Sequence, residues 1–253
     1  MERSGPELVA GRDLDCLYPC ALERTYGLFV EISDPDGSGV VDLTGSRKGC
    51  EREPSFTPDG NRVVFIVQRC GRCRESIWSM NLQGGHRRKI VLAPRASGKL
   101  LNPMDPNVSP DGSTLAFVGE RNPNGAVRAL YTVRMNGRHM ERIVPFSFRL
   151  CSRSDWAPDG KHLVFTDYRD GPGNTMIVRP DGSGLQQVTH YQGDAGPGGA
   201  VFSPDGRWIL YRHQNSVSGR FAIWKMRPDG KDRIHVKWLG VNFGHLDWGP
   251  RPG

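Results

Sequence analysis

Side chains suited to chemistry fall at two positions of a sequence that recurs along the chain. Each recurrence centres on a proline, and the two positions lie five and three residues before it. Alternate residues of a strand point to the same side, so we expect both positions to line one surface. Their charged members are four carboxylates, one arginine and one histidine: Glu53, Asp105, Arg153, Asp155, His245 and Asp247.

This set of side chains could bind a polar ligand, hold a metal ion or carry out general acid–base catalysis. Catalysis of that kind needs two carboxylates at a defined separation with different pKa values, and a sequence fixes neither quantity. A simpler role for Asp155 and Asp247 is to accept hydrogen bonds from neighbouring backbone amides. The chain contains no G-x-S-x-G, P-loop or H-E-x-x-H motif that would point to a specific reaction.

Cysteines form a second candidate set, with members at Cys16, Cys20, Cys50, Cys70, Cys73 and Cys151. Cys70 and Cys73 have Cys-x-x-Cys spacing, which suits zinc or another soft metal if Cys16 and Cys20 supply a second pair. A disulfide from Cys50 to Cys70 or Cys73 is the alternative, and it requires Cα atoms within about 7 Å. Unpaired buried thiols are the third interpretation.

Four related segments explain why these positions recur. They read "SFTPDGNRVVFIVQR", "NVSPDGSTLAFVGER", "DWAPDGKHLVFTDYR" and "VFSPDGRWILYRHQN". Their prolines, at 58, 110, 158 and 204, stand 52, 48 and 46 residues apart, and "DWGPRPG" begins a fifth copy at Pro250. Repeats of about 40 to 50 residues with several short strands each are typical of β-propeller blades.

Each repeat reads as four strands joined by short turns. In the first complete repeat we expect strands near 55–57, 63–67, 76–80 and 89–92, with turns at Asp59-Gly60 and Gly84-Gly85. The second turn recurs as Asp36-Gly37, Asn136-Gly137, Asp181-Gly182 and Asp229-Gly230. A large apolar residue stands just before the first turn and is expected to pack between blades: Phe56, Val108, Trp156, Phe202 and Trp248.

The segment "SPDG" before an apolar strand, followed by a strand that closes on "PDGSG", resembles the TolB-type propeller repeat over roughly residues 25 to 250. The resemblance implies a β-propeller used as a binding platform, with peptidase-associated and lyase propellers as enzymatic relatives. The repeated residues form turns and core, so the resemblance does not specify a function. TolB itself has six blades and a separate N-terminal domain, for which this chain has no room, so the resemblance is to the family.

We therefore predict one all-β domain, a five-bladed β-propeller of four-stranded antiparallel blades. Four blades are expected at residues 53–95, 105–146, 153–190 and 199–238. The fifth combines residues 7–45 with residues 244–250, so that the N- and C-terminal strands pair and close the ring. Closure would remove the exposed sheet edges that otherwise promote aggregation.

Blade connectivity sorts the loops onto two faces. Turns between strands one and two, and between strands three and four, lie on what we call the short-turn face. Loops between strands two and three, and from blade to blade, lie on the long-loop face; they include "QRCGRCRES" and "YRDGPGN". Irregular loops on a rigid scaffold often carry function, so we place the predicted site on the long-loop face and at the channel mouth.

Composition narrows the classes of partner and location. The chain has 34 basic and 27 acidic residues, a net charge of +7, without a basic run, so a nucleic-acid partner is not predicted. It lacks an apolar run long enough to span a membrane and a signal-peptide core. We expect a cytoplasmic protein, or a secreted or periplasmic one if a signal has been removed.

Two hypotheses about function follow. The first is a monomeric, non-catalytic binding scaffold that holds a protein, a peptide or a small polar ligand at the long-loop face and channel mouth. The alternative is a lyase or hydrolase, with or without a bound metal, whose candidate catalytic residues are Glu53, Asp105, Asp155, His245 and Asp247.

Overall fold

The computed structural model describes residues 7–9, 30–34, 38–45, 50–69, 74–92, 95–96, 99–121, 127–150, 154–171, 173–192, 196–214 and 221–239. These residues form β-strands, turns and connections, and none of them is helical. The strands make five main antiparallel sheets in chain order, one of three strands and four of four strands. This is the all-β, propeller-like arrangement that the repeat predicts.

Strand order within every main sheet follows the chain. The first sheet contains β1 (Glu7–Val9), β2 (Glu31–Ser33) and β3 (Val41–Asp42). The second contains β4 (Cys50–Phe56), β5 (Arg62–Arg69), β6 (Arg74–Asn81) and β7 (Arg88–Leu92). A two-stranded ribbon that the sequence did not predict follows, formed by β8 (Arg95–Ala96) and β9 (Lys99–Leu100).

The remaining sheets repeat the four-stranded pattern. The third contains β10 (Asn102–Val108), β11 (Thr114–Glu120), β12 (Arg128–Arg134) and β13 (Glu141–Val144). The fourth contains β14 (Asp155–Trp156), β15 (Leu163–Asp167), β16 (Asn174–Val178) and β17 (Gln186–Gln187). The fifth contains β18 (Pro197–Phe202), β19 (Ile209–Gln214), β20 (Phe221–Met226) and β21 (Ile234–Leu239).

The first hairpin of each four-stranded sheet carries the Pro-Asp-Gly sequence. In the second sheet, Thr57 N donates to Arg62 O and Gly60 N donates to Thr57 O, so four residues form the loop. Within this loop only Gly60 has a positive φ, of 67°, so the turn predicted at Asp59-Gly60 is wider than a two-residue hairpin turn. The Asp59 carboxylate stabilises the loop, since it accepts hydrogen bonds from Thr57 Oγ1 at 2.6 Å and Asn61 N at 3.1 Å.

The second hairpin of each sheet needs glycine because it touches the preceding sheet. A Cβ atom on Gly137 would lie 2.3 Å from Ile90 O, and one on Gly230 would lie 2.5 Å from Val188 O. Both distances are shorter than real carbon–oxygen contacts, so any larger residue would push the two sheets apart.

Apolar side chains fill the four spaces between successive sheets. The first space is filled by Val30, Ile32 and Leu43 against Val63, Phe65 and Met80. The other three also join residues from two sheets, and they include Val108, Trp156 and Phe202, from the position predicted to pack between blades. Strands between two neighbours, such as β15, are buried throughout, as expected for strands covered on both faces.

A bulge interrupts the first strand at the position of the predicted site. The pairing register shifts between Arg52 and Ser55 in β4, and Glu53 has a φ of 54°. Asp105 in β10 has a φ of 49°, within an equivalent register shift. A left-handed residue breaks the alternation of a strand, so the expectation that residues two apart share one side stays a prediction at this bulge.

Some predicted features lie outside the described residues. These are the closing strand at 244–250, the turn at Asp36-Gly37, and Trp248. The first sheet has the three strands that were predicted to begin the closing blade, with β1 paired to β2 and β2 to β3. In the described part of the chain, no helix is long and apolar enough to span a membrane.

Candidate functional site

Carboxylates on the first strands join neighbouring sheets. Glu53 Oε2 accepts a hydrogen bond from Asp105 N at 2.6 Å, which links β4 of the second sheet to β10 of the third. Asp105 is buried, with 6% of its surface exposed. The structure therefore brings these two predicted site residues together, but through a backbone amide.

A second set of contacts continues the connection to the fifth sheet. Asp155 Oδ1 accepts from Asn107 Nδ2 at 3.1 Å, and Asp155 Oδ2 accepts from Phe202 N at 2.8 Å. Trp156 Nε1 donates to Asn107 O at 3.1 Å. One carboxylate thus receives donors from the third and the fifth sheets, which is the amide-binding role that the sequence left open for Asp155.

Several predicted site residues lie outside the described part of the chain. They are Arg153, His245, Asp247, Cys16, Cys20, Cys70, Cys73 and Cys151. Cys50 begins β4, and only its backbone is described. The cysteine pairings and the histidine contribution to the site therefore stay predictions. Among the residues that are described, no group of three His, Cys, Asp or Glu side chains is placed to hold a metal.

A buried charged group beside Glu53 was not predicted from the sequence. The Arg52 guanidinium contacts Glu53 Oε1 through Nη1 and donates to Glu75 Oε1 through Nη2 at 2.8 Å. Glu75 Oε2 is buried without a hydrogen-bond partner. Burial raises the pKa of Glu75; Arg52 opposes this, and the nearby negative charge of Glu120 adds to it.

Glu120 has its own arginine on the neighbouring strand of the third sheet. Arg128 donates to Glu120 Oε1 from Nε at 3.1 Å and from Nη2 at 3.0 Å. Arg128 Nη1 also reaches Leu150 O at 3.3 Å, in the connection to the fourth sheet. Buried ion pairs of this kind fix the geometry of the scaffold more than they add to its stability.

Arginines lie over phenylalanine rings on the long-loop face, where the third sheet connects to the fourth. Arg169 Cζ is 3.6 Å from the centre of the Phe148 ring, and Arg121 Cζ is 4.1 Å from that of Phe146. Phe148 packs in the apolar space between the sheets, so the ring is fixed. Cation–π contacts hold each guanidinium in place over its ring.

Asp167 accepts hydrogen bonds from two arginines near these rings. Its Oδ2 accepts from Arg169 Nε at 2.6 Å, and its Oδ1 accepts from Arg149 N at 2.9 Å. Asp167 is 5% exposed, whereas Arg149 and Arg169 are exposed. We call Arg121, Arg149 and Arg169 the arginine surface. The only hint in the sequence was the alternating "FSFR" at 146–149, because the other two arginines are distant in the chain.

A row of aromatic rings lies on the long-loop side of the fifth sheet. The ring pairs Tyr191–His213 and His213–Trp224 have centroid distances of 5.1 and 6.0 Å. Asn174 holds Tyr191 in position, with Oδ1 accepting from Tyr191 N at 2.7 Å. Burial lowers the pKa of His213. A polar depression of about 190 Å³ lies next to Tyr191.

A protein-family model matches most of this chain. The model of the "TolB beta propeller domain" covers residues 32–251. An uncharacterized peptidase, YuxL, of Bacillus subtilis is 24% identical over 220 residues, which are 71% of this chain and 31% of that protein. The chain thus spans about a third of the length of that relative. An uncharacterized protein of Agrobacterium fabrum, Atu1656, is 28% identical over 151 residues, which are 58% of this chain and 46% of that protein.

Solved structures share the fold. TolB from Acinetobacter baumannii matches with a TM-score of 0.66 at 21% identity, over 84% of this chain and 49% of that one. At these identities the likeness shows the fold and carries no information on ligand or reaction.

Proposed function

The chain belongs to the TolB beta propeller domain family, and we propose that it is a non-catalytic binding scaffold. Its long-loop face would hold a peptide, a protein or a small polar ligand. One observation carries this proposal: two carboxylates of the predicted catalytic set, those of Glu53 and Asp155, are engaged in joining sheets. Asp155 receives donors from Asn107 and Phe202, and Glu53 receives the amide of Asp105.

Engaged carboxylates are poorly suited to general acid–base catalysis. Such a group must reach the proton that it transfers and must change protonation state during turnover. Protonation of Asp155 would weaken acceptance of two hydrogen bonds that join three sheets. The lyase or hydrolase alternative therefore requires different groups from those that the sequence suggested at these positions.

The arginine surface supports a ligand that carries negative charge. Arg169 is held by Phe148 and Asp167, and Arg149 extends from the connection that carries Phe148. A guanidinium that is already positioned loses less entropy on binding and can meet a carboxylate with two parallel hydrogen bonds. We therefore expect an acidic peptide segment or a comparable anionic group at this surface.

The proposal includes closure of the five sheets into a monomeric ring. The exposed apolar residues Val236 and Trp238 on the fifth sheet and Val40 and Val41 on the first support it, because each end of the row leaves such surface uncovered. Val236 lies at a register shift in β21, as Ile90 does in β7, and Ile90 is buried against the next sheet. In a closed ring the first sheet would cover Val236 in the same way.

Fluorescence anisotropy with a labelled nonapeptide of alternating glutamate and alanine tests the binding proposal. We expect saturable binding that weakens about tenfold or more in the double variant Arg149→Gln with Arg169→Gln, because two positioned guanidiniums are lost. Arg138→Gln is the matched control, since Arg138 is an exposed arginine on the short-turn face.

Three outcomes would contradict the proposal. The first is an absence of binding at about 1 mM protein, which corresponds to a very weak interaction. The second is an equal loss in the Arg138→Gln control, which would show attraction by net charge alone. The third is cleavage of the peptide, detected by mass spectrometry and abolished by changes on the long-loop face, which would favour the hydrolase alternative.

A further inference from the structure

A groove of about 690 Å³ opens on the short-turn face between the fourth and fifth sheets. Its apolar part includes Ala157, Ile177 and Phe202, together with three prolines at 158, 204 and 228. Pro158 and Pro204 belong to the first hairpins of the fourth and fifth sheets, and Pro228 belongs to the second hairpin of the fifth sheet. The groove thus crosses from one sheet to the next on the face opposite to the arginine surface.

The charged groups that line this groove are acidic. Asp159, Asp205 and Asp229 each come from one of the three hairpins, and none of the described residues lining the groove is a lysine or an arginine. The chain as a whole carries a net charge of +7. The lining of the groove therefore differs in sign from the chain as a whole. Lys231 Nζ lies 3.6 Å from Asp229 Oδ2, but both side chains are exposed and solvent weakens such a pair, so the lining is complementary to a cationic ligand.

One of these carboxylates is held less firmly than its counterparts in other hairpins. Ser109 Oγ donates to Asp111 Oδ1 at 2.6 Å, and Ser203 Oγ donates to Asp205 Oδ1 at 2.6 Å. The residue at this position in the fourth sheet is Ala157, which has no hydroxyl. Asp159 accepts from Lys161 N at 2.9 Å, and its carboxylate is available to a ligand.

We propose that the groove binds an extended peptide segment that carries lysine or arginine side chains. Such side chains combine an aliphatic stem with a cationic end, and the groove offers prolines and Phe202 beside carboxylates. His162 and Gln186 also line it and can bond the peptide backbone. Carboxylates on separate hairpins favour a ligand with several charges along its length over a small cation with one.

The proposed peptide site is independent of the long-loop function, because it lies on the other face and has the opposite charge. Fluorescence anisotropy with a labelled nonapeptide of alternating lysine and alanine tests it. We expect the Kd to rise about tenfold in the double variant Asp159→Asn with Asp229→Asn, since two ion pairs are lost. Arg149→Gln with Arg169→Gln should leave this Kd unchanged.

Asp59→Asn is the matched control, since Asp59 occupies the same position in the second sheet and does not line the groove. An equal loss of affinity in this control, or no binding at about 1 mM protein, would overturn the proposal. Displacement of the peptide by spermine at equal concentration would also overturn it, in favour of a polyamine.

Carbodiimide cross-linking of the lysine peptide to the unaltered protein gives a second readout that does not depend on how the variants fold. Mass spectrometry should locate the cross-links at Asp159, Asp205 or Asp229. Cross-links confined to other carboxylates would overturn the assignment of the groove.

Discussion

The two faces of the same row of sheets are built by different means. On the short-turn face, hairpins of one pattern recur, and their glycines and hydroxyl–aspartate contacts repeat from sheet to sheet. On the long-loop face, the arginine surface forms around the connection from the third sheet to the fourth, where Arg169 lies over Phe148. Regular sequence produces the frame, and irregular sequence produces the individual surface.

The difference teaches where to look for function on a repeat protein. The short-turn groove appears beside the one four-stranded sheet whose repeat departs from the pattern, at Ala157. The arginine surface likewise arises where "FSFR" interrupts a connection. Both candidate surfaces therefore mark positions at which the chain leaves the repeat, while the repeated residues hold the sheets together.

The largest expected loss of stability comes from a substitution in the second hairpin of a four-stranded sheet, on the short-turn face. Gly230→Val should lower the free energy of unfolding by about 2 to 5 kcal/mol, through strained backbone and a clash with Val188 O. Gly160→Val should cost less, about 1 to 3 kcal/mol, because it strains a backbone with a φ of 68° without causing a clash. The atom nearest to a Cβ at this position, Pro110 Cδ, would lie 3.8 Å away. Urea unfolding measures both, and equal losses would show that the inter-sheet contact at Gly230 contributes nothing.

A smaller effect should appear at the buried charges of the long-loop face as pH changes. Because the pKa of Glu75 is raised in the folded state, the native protein binds this proton more tightly than the unfolded chain does. Wild-type stability relative to Glu75→Gln should therefore fall as pH rises from 4.5, the ordinary pKa of a glutamate, through the raised pKa of the folded state. The difference should be largest above the raised pKa and should vanish below pH 4.5.

Thermal unfolding across this pH range gives the comparison directly. A constant difference between wild type and Glu75→Gln at every pH would show that Glu75 does not titrate differently in the two states. Glu51→Gln is a useful reference, since Glu51 is likewise buried with one unpartnered oxygen and is likewise paired with an arginine, Arg87.

The smallest effect concerns the one hairpin that lacks a hydroxyl. Ala157→Ser should raise the free energy of unfolding by about 0.5 to 1.5 kcal/mol, because the new hydroxyl can bond Asp159 as Ser109 bonds Asp111. Ser109→Ala should lower it by a similar amount. The same Ala157→Ser variant should bind the lysine peptide more weakly. Destabilisation by Ala157→Ser would show that this hairpin differs from the others in more than its hydroxyl.

The strands and inter-sheet packing could be predicted because they repeat. Four copies of one segment placed β5, β11, β15 and β19 within a few residues, and Trp156 and Phe202 were expected between sheets. Repetition provides several independent readings of the same local physics, so turn chemistry and apolar runs agree with each other.

The candidate surfaces could not be predicted because they depend on contacts between distant residues. Arg121 follows β11 and meets Phe146, which follows β13, across the intervening strand β12, and no local pattern indicates that pairing. The left-handed conformation of Glu53 is equally invisible, because glutamate has no preference for positive φ. The engagement of Asp155 by Phe202 N also required the neighbouring sheet to be in place.

The central claim is that the first-strand carboxylates hold the sheets together and leave binding to the loops. Asp155→Asn tests it most directly, because asparagine has a single acceptor oxygen for the two donors that Asp155 now receives. We predict that urea unfolding will show a loss of about 1 to 3 kcal/mol, with the Kd for the glutamate peptide unchanged. Unchanged stability together with lost binding or turnover would contradict the account.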